Sequence, residues 1–518
     1  MVQTKNAKKV LMIGLDASDP DLVERWMGDG SLPNLKRLRD KGAYGRLASP
    51  GEWLSAAPWV TFFTSAHPSQ HGFYYPFGWR PSEMKHERPS QKWLPYTPFW
   101  WRFDHGGPRV IVIDVPHSYQ PESLNGIEIR GWSTYETHDH SDSYPRSKYA
   151  WVRNTFGEMP RTNEKYEAFT IHESLLLRDK LIESTRQLTN LAEYMVHNEK
   201  WDFFLVAYAG PHRGGHKFWD SADLKGEPDQ DGLDEFRESL HKIYIECDKS
   251  IGSIVNNMGE NAEIMIFSLH GMGANTSRDE ILPEMLGRIL SNGKGKENDS
   301  NSKKILHRLR KNIPSTWRYE VKHRLPVILQ DRLGLFWRMG DVNWQDTQAF
   351  CLIGDTQGFI RINLKGRESM GIVEPGDEYE KLILKITEGL FTYLDADTEE
   401  PIVQEIKQSR NIFPPGPSLD KLPDLIVKWS DMPANKHRQV ISCRYGTIEW
   451  PTPGKNPDGR SGNHRGQGFL IASGAGFMPG STIRNGHILD LAPTVLELLG
   501  IEKYPEMVGE SLVQIPAI

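Results

Sequence analysis

The chain has 518 residues, room for three ordinary domains or one large one at about 150 residues each. Its 62 Lys and Arg against 68 Asp and Glu give a formal charge of -6, which excludes nucleic acid as a default partner, since phosphate-backbone binding needs a basic surface. Three scattered cysteines (Cys247, Cys351, Cys443) with no C-x-x-C pair exclude a disulfide framework and a thiolate zinc site.

The first nine residues contain no apolar signal-peptide segment, and no apolar run reaches the ~20 residues of a membrane helix. A cytoplasmic protein with no membrane partner is expected. Val10 to Leu15 is a short continuous apolar run ending at Asp16, the pattern of a strand buried on both faces. Val110 to Val115 repeats it. Lys180 to His197 reads as an amphipathic helix, Phe203 to Tyr208 as a strand, Asp234 to Met258 as a helix and Ile264 to Ser268 as a strand. From Arg278 to Val342 the pattern changes to a helical start, a polar stretch and a basic run around Lys303 to Arg324. Phe469 to Ala472 closes the strand series. Strands alternating with helices predict a doubly wound, mostly parallel α/β sheet with helices on both faces. Residues 1–277 and 343–518 are expected to form one catalytic domain. Residues 278–342 are expected to be a helical, basic insertion: either a solvated segment or a lid whose cations attract an anionic substrate.

In such sheets the chemistry gathers at the carboxyl ends of the strands. Asp16 closes the first strand, His212 and His216 follow the Phe203 strand, His270 follows the Ile264 strand and His464 precedes the Phe469 strand. Four imidazoles and a carboxylate at such places predict a metal site. Donors without thiolate suit zinc first, manganese or iron next. The run Thr137 to Asp142 is also rich in ligand types, but a polar surface loop accounts for it as well. Ser55 stands just before the helix-like Val60 to Ser65. It is read either as a helix cap or as a metal-activated nucleophile.

The ordered motifs extend far beyond these residues. Val10-Leu-Met-Ile-Gly-Leu-Asp16, Leu32-Pro-Asn-Leu, Ala57-Pro-Trp through Pro68-Ser-Gln-His71-Gly72 and Val115-Pro-His-Ser-Tyr are followed by Phe359-Ile-Arg-Ile-Asn-Leu, Pro423-Asp-Leu-Ile-Val427, His464-Arg-Gly and Asp490-Leu-Ala-Pro-Thr494. With them the chain resembles the alkaline phosphatase superfamily, in its bacterial type I phosphodiesterase/nucleotide pyrophosphatase branch. The resemblance implies an alkaline-phosphatase-like fold and two adjacent metal positions. Asp16, Ser55 and His270 match one, with Ser55 as the nucleophile; His212, His216 and His464 match the other. It leaves His71 a structural role. Two residues depart from the pattern: His212 stands where the family has a carboxylate, and Leu269 where it has the Asp of Asp-His-Gly. One carboxylate remains where the family offers three, so one tightly held divalent ion is expected at His212, His216 and His464, with any second ion exchangeable.

The expected function is a metal-dependent hydrolase or phosphotransferase acting on a small phosphodiester or phosphoanhydride through Ser55. One alternative is a single-metal enzyme of specialised metabolism with diverged chemistry on another anionic substrate. Another is a catalytically inactive binding protein of the same fold. Arg80 and Lys85 are candidate phosphate contacts; the sequence does not decide substrate identity or oligomeric state.

Overall fold

The computed structural model describes residues 9–103, 106–133, 141–160, 162, 167–258, 262–292 and 342–514. In chain order the elements that place the site are β1 (Lys9–Leu15), α1 (Pro20–Gly28), β2 (Ala43–Ala48), α2 (Pro58–Thr64), β3 (Val110–Ile113), β4 (Gly126–Arg130), β5 (Asp142–Tyr144), α3 (Ile171–Asn198), β6 (Phe203–Tyr208) and α4 (Gly210–Phe218). They continue with α5 (Gln230–Arg237), α6 (Ser239–Asn256), β7 (Ala262–Ser268), β8 (Gly271–Ala274), α7 (Leu282–Leu290), β9 (Ala349–Leu352), β10 (Gly358–Ile362), α8 (Asp377–Leu390), β11 (Val403–Gln408), β12 (Leu425–Trp429), β13 (Gly462–Arg465), β14 (Gln467–Ser473) and α9 (Leu491–Leu498).

The main sheet runs β2, β14, β7, β1, β6, β3, β4, β5, with short pieces beyond β2. β1 pairs parallel with β6 and β7, and β3 parallel with β6 and β4. Successive side chains of a strand point to opposite faces, and here both faces are covered. Leu11, Ile13, Phe204 and Val206 pack with α3 and α6 residues such as Leu181, Leu188 and Ile243. Val10, Met12, Leu205 and Phe267 pack with Trp59 and Phe62 of α2 and Val495 and Leu496 of α9. Continuous apolar runs follow from that double burial. α3 starts where Thr170 and Glu173 form a reciprocal cap: the Glu173 N–H donates to Thr170 Oγ1 at 3.3 Å, and the Thr170 N–H to Glu173 Oε2 at 2.9 Å.

The sheet is doubly wound and mostly parallel, as expected, with three local corrections. β14 is antiparallel to both β7 and β2, although its apolar run reads like the parallel strands because it too is buried on both faces. The helix expected over Asp234 to Met258 is two helices, α5 and α6, meeting at Glu238. Residues 278–290, expected at the start of the insertion, are packed into the described fold. Arg278 is fully buried, donating to His437 Nε2 at 2.9 Å and to the Met432 carbonyl at 2.9 Å. Leu282, Met285, Leu286 and Ile289 of α7 pack with Leu382 and Ile386 of α8 and Ile360 of β10. β9, β10, β12 and β11 form a second, four-stranded antiparallel sheet in this layer. The basic run, residues 303–324, lies outside the described residues, and so do residues 137–140 of the alternative ligand loop. Asp142 of that loop accepts from Arg130 Nε at 2.9 Å.

No helix among the described residues is long and apolar enough to cross a membrane.

Candidate metal centre

The site forms where β1, β6 and β7 end. Asp16 follows β1, its backbone N–H on the Tyr208 carbonyl at 3.0 Å. β6 leads directly into α4, and a repeat of 3.6 residues per turn puts His212 and His216 on one face of that helix. Between them lie Gly214 and Gly215, poor helix formers. A Cβ on Gly214 would stand 2.7 Å from Ile243 Cδ1, and one on Gly215 2.7 Å from Met272 Cγ, so two bare positions let α4 lie tight against α6 and β8. β8 and β13 form an antiparallel ribbon that sets His464 opposite Met272. His270 enters that ribbon, its carbonyl held by Ser268 Oγ at 2.7 Å.

Four imidazole rings converge. The His464 ring centroid lies 4.9 Å from those of His212 and His216 and 4.8 Å from that of His270. Ligand atoms of His212, His216 and His464 all lie within 4.8 Å of one another. His212 Nδ1 faces Asp16 Oδ2 at 2.8 Å, and His216 Nδ1 donates to the Gly462 carbonyl at 2.9 Å. Both Nε2 atoms therefore turn inward and stand 3.1 Å apart. Burial, then the Arg460 and His212 charges, push His216 well below the usual imidazole range; its inward nitrogen is a lone pair, and a proton or a metal ion has to lie between it and His212. Two nitrogens bound at about 2.0–2.1 Å to a tetrahedral ion stand roughly 3.3 Å apart, close to the observed separation. His464 Nδ1 and His270 Nδ1 are buried with no hydrogen-bond partner among the described residues. Burial, then the neighbouring imidazoles, also push His464 well below its usual value, and burial holds His270 down at about 4. Neutral imidazoles with inward lone pairs are the donor chemistry of a zinc-type site.

Asp16 is 3 % exposed, with His270 Nε2 at 3.7 Å from Oδ1. Burial raises its carboxyl, but His212, His270 and the Trp59 hydrogen bond outweigh it and keep Asp16 ionised. Trp59 Nε1 donates to Oδ1 at 2.8 Å. Ser55 is 4 % exposed, on the turn before α2. That turn is tied to the cluster through Trp59 and Asp16, and a Cβ on Gly51 would stand 3.3 Å from His270 Cβ. The structure thus gathers Asp16, His212, His216, His270 and His464, with Ser55 on the adjoining turn.

A family model described as type I phosphodiesterase / nucleotide pyrophosphatase matches residues 10–427. The chain belongs to this family. Among solved structures it is similar to phosphonoacetate hydrolase from Sinorhizobium meliloti 1021 (TM-score 0.52, 12% identity, 95% of this chain and 96% of that one). It is also similar to human ectonucleotide pyrophosphatase / phosphodiesterase 5 (TM-score 0.50, 12% identity, 96% of each chain). At this identity the likeness is one of fold. A curated 2,3-bisphosphoglycerate-independent phosphoglycerate mutase from Ruegeria pomeroyi is 62% identical over 34 residues, a match covering 7% of each protein's length.

Against the type I phosphodiesterase pattern, Leu269 is 1 % exposed in the apolar cluster with Phe267 and Leu470. His71, as the resemblance implied, is structural: its Nε2 pairs with Thr61 Oγ1 at 3.1 Å and its Nδ1 accepts the Phe73 N–H at 3.1 Å. Arg80 and Lys85 spend their charges in a hairpin, on Glu87 at 2.7 and 3.1 Å. Sequence reasoning missed Asp355, on the turn between β9 and β10. Its Oδ2 lies 3.8 Å from His464 Nε2, and its Oδ1 accepts from Arg460 Nη1 at 2.8 Å. No motif marks it, because that turn belongs to the second sheet rather than to a strand end of the main one.

Proposed function

We propose that this member of the type I phosphodiesterase family is a metal-dependent hydrolase of a small phosphodiester or phosphoanhydride, acting through Ser55. The observation that carries the reading is the convergence of the ligand atoms of His212, His216 and His464 within 4.8 Å of one another, in a cluster tied to the Ser55 turn through Asp16 and Trp59. These three residues would hold the divalent ion, zinc in first place. The ion would supply Lewis-acid stabilisation of the charge that develops during phosphoryl transfer. Ser55 Oγ attacks phosphorus as the bond to the leaving oxygen breaks, giving a phosphoseryl intermediate. His270, held neutral and lying against the Ser55 loop, takes the serine proton and returns it to the leaving group. Water then cleaves the phosphoseryl bond and regenerates the hydroxyl.

Ser55→Ala tests the reading on a chromogenic phosphodiester such as bis(p-nitrophenyl) phosphate and on a dinucleotide pyrophosphate. Turnover is expected to fall at least about 10²-fold, roughly 2.7 kcal/mol of transition-state stabilisation, with the fold and metal content intact. Unchanged turnover by the alanine variant would remove Ser55 from the mechanism.

A further inference from the structure

In the family pattern the position of Asp16 is a ligand of a second metal ion, shared with Ser55, His270 and the residue at 269. Here those residues do not make such a site. Leu269 has no donor atom and is packed among apolar side chains. Each Asp16 oxygen is turned to a partner of its own: Oδ1 accepts from Trp59 Nε1 at 2.8 Å, and Oδ2 faces His212 Nδ1 at 2.8 Å. An indole N–H can only donate, so Trp59 is a committed hydrogen-bond partner. With Asp16 turned to Trp59 and His212, the groups left to the second position alone are one hydroxyl and one imidazole, short of the three protein ligands a catalytic divalent ion ordinarily takes.

One departure from the family bears directly on Asp16. His212, the residue that replaces a family carboxylate, is the one that engages Asp16. A carboxylate accepting from one ring nitrogen fixes the tautomer and aims the other at the metal, the arrangement that orients metal-binding histidines generally. The Gly462 carbonyl does the same for His216. We propose that the centre of this chain is mononuclear, and that Asp16 is a positioning residue which orients His212 as a ligand rather than itself holding a second ion. The inference rests on the three-histidine centre of the preceding reading and deepens it.

Metal counting on the full chain decides it without substrate. Wild-type protein loaded with Zn²⁺ and dialysed is expected to retain one ion per chain. Asp16→Asn is expected to keep that stoichiometry at saturation but to bind the ion about 10- to 100-fold more weakly, measured by competition with a chromophoric chelator. Its Co²⁺ form should show an altered ligand-field spectrum from a changed His212 orientation. Two ions retained by the wild type, falling to one in Asp16→Asn, would overturn the proposal; so would an Asp16→Asn affinity equal to wild type. The wild-type count alone separates one ion from two if the variant fails to fold. No retained ion at all would instead overturn the three-histidine reading, and a loaded enzyme without turnover would overturn only the hydrolase reading.

Discussion

At the residue scale, Leu269 and Asp16 decide what the site can bind. Replacing Leu269 by Asp would restore the family's side chain, but the surroundings have been rebuilt as an apolar cluster with Phe267 and Leu470. Losing a buried leucine costs about 2 kcal/mol, and an unpaired carboxylate there adds a comparable desolvation penalty. With Asp16 held by Trp59 and His212, the added carboxylate would find only the Ser55 hydroxyl and the His270 imidazole as fellow ligands, and an ion there would lack the Asp16 charge. Leu269→Asp is therefore expected to lower the thermal midpoint and to leave retained zinc at one per chain. A second, dialysis-resistant ion in that variant would show that the missing carboxylate alone had been limiting. His212 illustrates what sequence could reach at this scale: its identity and spacing from His216 marked a ligand, but its partner Asp16, almost two hundred residues earlier, appears only when β1 and β6 lie side by side.

At the element scale, the histidine cluster is a contact between α4 and the β8–β13 ribbon. The contact has no slack at Gly462, where a Cβ would stand 2.1 Å from the Gly215 carbonyl oxygen. That neighbour is helix backbone and cannot turn aside as a side chain would. Gly462→Ala is expected to push the ribbon away from α4 and break the Gly462 carbonyl bond that orients His216. Overpacking of this kind typically costs about 1–3 kcal/mol, and zinc affinity should fall with it. Denaturant unfolding and chelator competition on the one variant measure both effects; wild-type affinity would mean that the ribbon does not set the imidazole geometry. The strands β1, β3, β6 and β7 were legible because burial on both faces writes itself as an unbroken apolar run. The direction of β14 was not, since a doubly buried strand has the same pattern whichever way it points. The helix α7 was expected, but its packing was not legible, because its apolar face precedes a long polar and basic stretch that drew it into the expected insertion.

Across the whole molecule, burial holds imidazoles neutral both inside the site and away from it. Burial keeps His71 at about 3 and His270 at about 4, whereas both titrate near 6.5 in the unfolded chain. Between those values the unfolded state binds more protons, so stability rises with pH there and is lost as pH falls below about 6.5. Each such group should remove roughly 2 kcal/mol between pH 7 and pH 5. Metal-free protein is expected to lose its urea resistance steeply over that interval and to change little above pH 7. His71→Gln, which can still pair with Thr61, should flatten the slope; equal stability at pH 7 and pH 5 would contradict the burial argument. The second sheet also reaches the site at this scale. The β9–β10 turn carries Asp355 towards His464, bonds Thr356 Oγ1 to Asn463 Oδ1 at 2.9 Å and sends Gln357 Nε2 to the Glu52 carbonyl at 2.9 Å. A search for motifs at strand ends of one sheet could not find a residue contributed by another.

The antiparallel β14 also orders events in time. It lies between β2 and β7, so a nascent polypeptide that has emerged from the ribosome only as far as residue 466 has a main sheet in two pieces, with the strand before the Ser55 turn separated from the one before His270. The last histidine of the cluster, His464, sits three residues ahead of that closing strand. A polypeptide ending before β13 would therefore lack His464, and with it one of the three imidazoles of the cluster.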